Sequence, residues 1–204
     1  MDLLTELQQD ALTEAFNIGM GVAAASLSEM VNEEVTLSVP EIEFISRESA
    51  ANTLKDRCSD QLSGVSQHFS GAYDGEAMLL FPADKSLELV RLMLRDTVPL
   101  TQLTEFEEEA LNEIGNIILN AGLGSLADMF GHEITSMLPV FKHGTCSNVL
   151  SASGEAVDSI VLFLRVDFKL ETHELDGYLV FMQDINSVND LAKHIDRFLE
   201  KLGS

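Results

Sequence analysis

Two small sets of side chains in this chain have types and spacings suited to chemistry. Asp10, Glu14 and Asn17 stand at i, i+4 and i+7, and Glu109, Glu113 and Asn116 repeat that spacing. On an α-helix at about 100° per residue, three such positions fall within about 60° of one another and form one polar stripe. Glu and Asn one turn apart then project side by side from a rigid rod. The carboxylate can hold a cation, and the carboxamide can donate and accept hydrogen bonds together, so one partner could engage both.

Taken singly, either set reads as the solvated face of an amphipathic helix. Their duplication argues otherwise. Shifting the chain by 99 residues aligns Asp10–Pro40 with Glu109–Pro139 without a gap, and 11 of the 31 columns are identical. Exposed helix positions tolerate almost any polar residue, and several have diverged: Thr13 faces Asn112, Asn32 faces Gly131 and Glu33 faces His132. Glu14/Glu113 and Asn17/Asn116 have not, although asparagine is a poor helix former with no reason to persist for helicity.

The full pattern is acid, three residues, Glu, two residues, Asn, twenty-two residues, Pro. It is met by Asp10, Glu14, Asn17 and Pro40, and again by Glu109, Glu113, Asn116 and Pro139. This resembles the CheC/CheX/FliY family of chemotaxis phosphatases. The words Asn17-Ile18-Gly19 and Asn112 to Asn120 are similar to the two signature helices of CheC proteins. The resemblance implies hydrolysis of the aspartyl phosphate on a CheY-like response regulator. It makes Asn17 and Asn116 the water-orienting groups, Glu14 and Glu113 the partner anchors, and Asp10, Glu109, Pro40 and Pro139 supporting positions. It further implies that the receiver domain supplies Mg²⁺, that this chain carries no cofactor of its own, and that a CheD-type deamidase is a second candidate partner. The residue types suit that chemistry, because an acyl phosphate is already activated and calls mainly for a placed water and charge stabilisation. An alternative is a non-catalytic module that sequesters a regulator or a CheD-type deamidase. After Asn17 the first copy reads Gly19-Met20-Gly21, which the second lacks, so the two sites are expected to differ. With the sequence read as far as Ser204, the longer flagellar-switch members, which carry an added motor-binding domain, are expected to fit less well.

The elements that would carry the motifs follow from periodicity. A helix is expected over about Leu4 to Val31, with Leu4, Leu7, Ala11, Ile18, Val22 and Ala25 on its apolar stripe. Its counterpart begins near Thr104, an N-cap candidate with Glu107 three residues on, and runs to about Phe130. Glu107 and Glu108 are expected to be solvated. Strand patterns cover 34–45, 65–72, 76–81, 159–170 and 177–182, with turns such as Asp74-Gly75 favouring antiparallel pairing. Short helices are expected over 84–94 and 187–202, a loop over Ser46–Asp60, and a joint over Arg95–Leu103 containing Pro99. The class is α+β. A single domain over 1–204 is expected, made of two repeats of about 1–98 and 99–204, with an antiparallel sheet flanked by two long signature helices and two shorter helices.

Composition narrows the function further. A net charge of -22, with no cluster of Lys or Arg, disfavours nucleic acid and anionic membrane surfaces as partners. The amino terminus shows no secretory pattern, and the longest apolar run, Ile160–Leu164, is far short of a bilayer span, so a cytoplasmic protein without membrane insertion is expected. Cys58 and Cys146 lie too far apart for a CxxC unit, and the five histidines show no paired ligand spacing, so no metal site is expected. Gly19-Met20-Gly21 lacks a third glycine and a preceding strand, which makes close helix packing its expected role.

Overall fold

A computed structural model describes residues 4–58, 60–71, 74–94, 103–151, 160–170, 173–182 and 185–202. In chain order these form α1 (Glu6–Val31), β1 (Val35–Ser46), α2 (Arg47–Arg57), β2 (Gln61–Gly71), β3 (Gly75–Pro82) and α3 (Ala83–Met93). There follow α4 (Leu103–Phe130), β4 (Ile134–Ser136), β5 (Val140–Thr145), α5 (Cys146–Val149), β6 (Ile160–Leu170), β7 (His173–Met182) and α6 (Ile185–Leu202). The strands form one sheet in the order β1-β6-β7-β3-β2-β4, with β5 also on β2, and every pairing is antiparallel. If β4 and β5 together are matched with β1, β6 with β2 and β7 with β3, the order reads the same from either edge.

Side chains alternate between two apolar layers, as a pleated strand requires. From β3, Ala77, Leu79 and Phe81 meet α1, α4, α3 and α6, while Met78 and Leu80 join a smaller layer formed with α2 and α5. The central strands β3 and β7 are therefore covered on both faces. No helix among the described residues is long and apolar enough to cross a membrane.

Three expectations need correction. The segment Ser46–Asp60 is not a loop, because α2 occupies most of it. Ser46 caps α2 by accepting from Ser49 N–H, Ala50 and Leu54 bury against the second layer, and Lys55 and Arg57 lie in the last turn. Three apolar residues in eleven, two of them buried, give too weak a stripe to register as periodicity. With α2 and α5, the sheet carries six helices rather than four. The third correction concerns the helix start: α4 opens at Leu103, so Thr104 lies inside its first turn instead of before it. The rest of the expected joint, 95–102, lies outside the described residues.

Most of the apolar stripe expected on α1 also lies outside the core, although Leu4 is buried in it and Ala11 packs against it. Leu7, Ile18 and Val22 are 64%, 62% and 64% exposed, and the buried face is Leu12, Phe16, Met20, Ala23, Leu27 and Val31. The helix is apolar around most of its girth, and the bulkier set takes the interior. Gly19 is buried where α1 meets α4, and a Cβ there would fall 2.9 Å from Ala121 O. Gly21, in contrast, has open space beside it, so only the first of the two glycines serves packing.

Candidate functional site

The first motif sits on α1, which Thr5 and Gln8 start with a reciprocal capping box. Asp10 and Glu14 are exposed, as expected. Asn17 is half-buried and does not project freely. Its Oδ1 accepts from Val39 N–H at 2.8 Å, and its Nδ2 donates to Val39 O at 3.3 Å and to Thr13 O at 3.0 Å. The reason lies in β1. Pro40 cannot donate to a ladder, and the pairing of β1 with β6 slips between Ser38 and Glu41, leaving Val39 without a register partner. The slip also swaps which faces of the strand are buried: Val35, Leu37 and Val39 point to the main core before it, Ile42 after it. Asn17 serves both backbone groups of Val39. Twenty-two residues between Asn and Pro thus place the amide beside the residue that Pro40 unpairs.

The second motif is arranged differently. Pro139 splits the corresponding strand into β4 and β5. Here the backbone of the break is served by β2: Met137 N–H donates to His68 O at 2.8 Å, and Gln67 Nε2 donates to Met137 O at 2.6 Å. Asn116 is spared that duty. Among the described residues it makes one side-chain hydrogen bond, accepting at Oδ1 from Asn120 Nδ2 at 2.9 Å. Asn120 Oδ1 accepts in turn from Ser136 Oγ at 2.9 Å and from Gln67 Nε2 at 3.2 Å. An open cleft of about 530 Å³ lies over this copy, lined by Glu108, Glu109, Asn112, Glu113, Asn116, Leu138 and Pro139. All four residues of the second motif therefore line one depression. Gly115 lets α4 approach the sheet here, since a Cβ on it would collide with Val65 Cγ2.

Several residues were misplaced or unnoticed at the level of sequence. Glu107 is not solvated: it is buried and accepts from the Ser86 hydroxyl of α3. Gln67, Asn120 and Ser136 were not singled out. The one available signal was a glutamine in an otherwise core-facing stretch of β2, Leu62 to Gln67, which is buried throughout. The exposed Leu7, Ile18 and Val22 give α1 an apolar shoulder beside its motif. Cys58 and Cys146 are free thiols at the α2/α5 layer, and burial pushes Cys58 up to about 11.

Comparison with known proteins follows this geometry. The model of the CheC-like family matches residues 7–43, which hold the whole first motif from Asp10 to Pro40. Two curated relatives extend the match over nearly all of the chain. The flagellar motor switch phosphatase FliY of Bacillus subtilis is 24% identical over 96% of this chain and 51% of its own length, and the CheY-P phosphatase CheC of the same organism is 20% identical over 92% of this chain and 93% of its own. The chain thus resembles the CheC-like family. Solved structures show the shared fold: Thermotoga maritima FliY superposes with a TM-score of 0.73 at 21% identity, covering 95% of this chain and 98% of that one. A CheX from Borrelia burgdorferi, solved in complex with CheY, BeF3 and Mg²⁺, superposes at 0.51 and 17% identity, covering 82% of this chain and 97% of that one. The chain spans about half the length of the FliY relative. The CheC-like family thus includes CheY-P phosphatases by the names of its members.

Proposed function

We propose that this chain hydrolyses the aspartyl phosphate of a CheY-like receiver domain and that the cleft beside Asn116 is the working site. The observation that carries this reading is the contrast between the two amides: Asn17 is held by Val39, whereas Asn116 lines an open cleft with Glu109 and Glu113. An acyl phosphate needs little covalent help, so a positioned water and a hydrogen-bond donor toward the phosphoryl oxygens suffice. A neutral amide supplies both without adding negative charge. Glu113 would anchor a cation of the receiver, Glu109 and Pro139 would shape the cleft, and Mg²⁺ would arrive with the receiver. The names of the relatives support this, as does the CheX structure that contains CheY with BeF3 and Mg²⁺.

The test is phosphate release from a phosphorylated receiver mixed with each variant. Asn116→Ala should lower the rate by on the order of a hundredfold, the penalty expected for losing a positioning group, and Asn17→Ala should lower it much less. Equal rates for wild type and the Asn17→Ala/Asn116→Ala double variant would remove the proposal. The locked Asn17 favours a second reading for the first copy alone: its exposed Asp10 and Glu14 form a docking surface for a receiver or a CheD-type deamidase, without turnover.

A further inference from the structure

We propose that Gln67 and Asn120 are positioning residues that fix which way the Asn116 amide faces, with the orientation dictated by a single backbone carbonyl. This rests on the reading of Asn116 as the group that meets the phosphoryl centre. The inference comes from following donors and acceptors link by link. Met137 O can only accept, so the Gln67 atom 2.6 Å from it must be the NH₂ group. An NH₂ group can only donate, so the Asn120 atom 3.2 Å from it must be Oδ1, which the Ser136 hydroxyl also meets at 2.9 Å. The other end of Asn120 is then its NH₂, and it can donate only to Oδ1 of Asn116, at 2.9 Å. Each link admits one orientation. Asn116 is left with a second lone pair on Oδ1 and both amide protons, the combination that can accept from a water and donate to a phosphoryl oxygen.

Two further observations favour a functional purpose over a structural one. Gln67 is 1% exposed, yet its Oε1 is buried with no partner, an arrangement that costs stability and that an apolar side chain would avoid. In the first copy, where Asn17 is committed to Val39, the aligned positions of Asn120 and Ser136 are Gly21 and Leu37, so no relay can form. The relay therefore exists at the copy whose amide lines the cleft.

The decisive variants are Asn120→Asp and Gln67→Met in the full chain. Asn120→Asp keeps the acceptor for Ser136 and Gln67, but it replaces the donor to Asn116 with a second acceptor oxygen and adds one negative charge, so Asn120→Leu, which adds no charge, is run beside it. Each should lower kcat for receiver dephosphorylation about tenfold, the worth of one well-placed hydrogen bond, with KM within about twofold. Gln67→Met removes the orphaned oxygen together with the donor to Met137 O and Asn120 Oδ1, so the two effects offset: its melting temperature should stay within about 5 °C of wild type while kcat falls similarly. In all three variants the ¹⁵N-labelled side-chain amide resonances of Asn116 should move. Unchanged kcat in Asn120→Asp, in a protein where Asn116→Ala is inactive, would overturn the proposal. So would Asn116 amide resonances that none of these variants moves, or activity lost only in proportion to lost folded protein. If the wild type dephosphorylates no receiver, the phosphatase reading fails by itself, and the amide resonances still decide the relay.

Discussion

Replacing Asn17 and Asn116 by alanine should separate stability from activity in opposite directions. Asn17→Ala removes hydrogen bonds to Val39 N–H, Val39 O and Thr13 O and leaves the Val39 backbone pair without the partner that replaces its missing ladder. Val39 is 2% exposed, so water cannot easily substitute. An orphaned buried polar group costs about 1–3 kcal/mol, and two of them with partial relaxation place the loss at about 2–4 kcal/mol. In a chain of this length that is a fall in melting temperature on the order of 5–15 °C. Asn116→Ala removes one amide–amide hydrogen bond at a cleft open to water, at a cost of about 1 kcal/mol or less. Its melting temperature should fall by no more than about 4 °C. Thermal unfolding followed by circular dichroism, run beside the phosphate-release assay at a temperature where both variants are folded, tests the pair. An Asn17→Ala protein that melts with the wild type, or below which Asn116→Ala melts, would refute the assignment of Asn17 to the strand break.

Two further expectations come from elsewhere in the fold. Ser86→Ala leaves the buried Glu107 carboxyl without its recorded partner and should destabilise the chain by about 2–3 kcal/mol in denaturant unfolding, with Glu107→Gln milder because an amide can still meet the hydroxyl. Burial, the largest influence, holds the Cys58 thiol at about 11, above its ordinary value near 9. A raised folded-state value means the contribution is complete below about pH 8.5 and is lost as pH rises through 11. Stability should therefore decline between about pH 9 and 11, and Cys58→Ala should flatten that part of the curve; an unchanged decline would show that Tyr178, pushed up to about 12 chiefly by burial, governs the alkaline limb instead.

How much of this was legible in the sequence differed by element. The long helices, five of the seven described strands and the short helices α3 and α6 fall close to where their patterns place them, whereas β4 and β5, too short and too polar to show alternation, and the four-residue α5 are not marked by any pattern. Nor is the α2 helix, since a helix held by Ala50, Ala51 and Leu54 presents almost no stripe. On α1 the difficulty is the reverse. Leu7, Ile18 and Val22 have helical spacing, and so do Leu12, Phe16 and Met20, and periodicity cannot say which set meets the sheet. Only packing against β1 and α4 decides it. The motif residues were legible because they are duplicated. Their local states were not, because those depend on which strand happens to lie opposite each amide.

That dependence explains how two copies of one motif come to differ. The repeat places the same Asn on each long helix and the same Pro in each following strand. A proline in a strand leaves backbone groups that must be satisfied, whichever neighbour supplies the partner. At β1 the slip against β6 leaves Val39 unpaired, and Asn17 meets both of its backbone groups. At the break between β4 and β5, strand β2 meets Met137 through His68 O and Gln67, and Leu138, the counterpart of Val39, is 83% exposed, so its backbone can meet water instead of Asn116. An asparagine can have its amide committed to a strand or offered to a ligand, but the same donor and acceptor cannot serve both at full strength. The burial of Val39 and the exposure of Leu138 thus separate the two amides, the first held against a strand and the second lining the cleft.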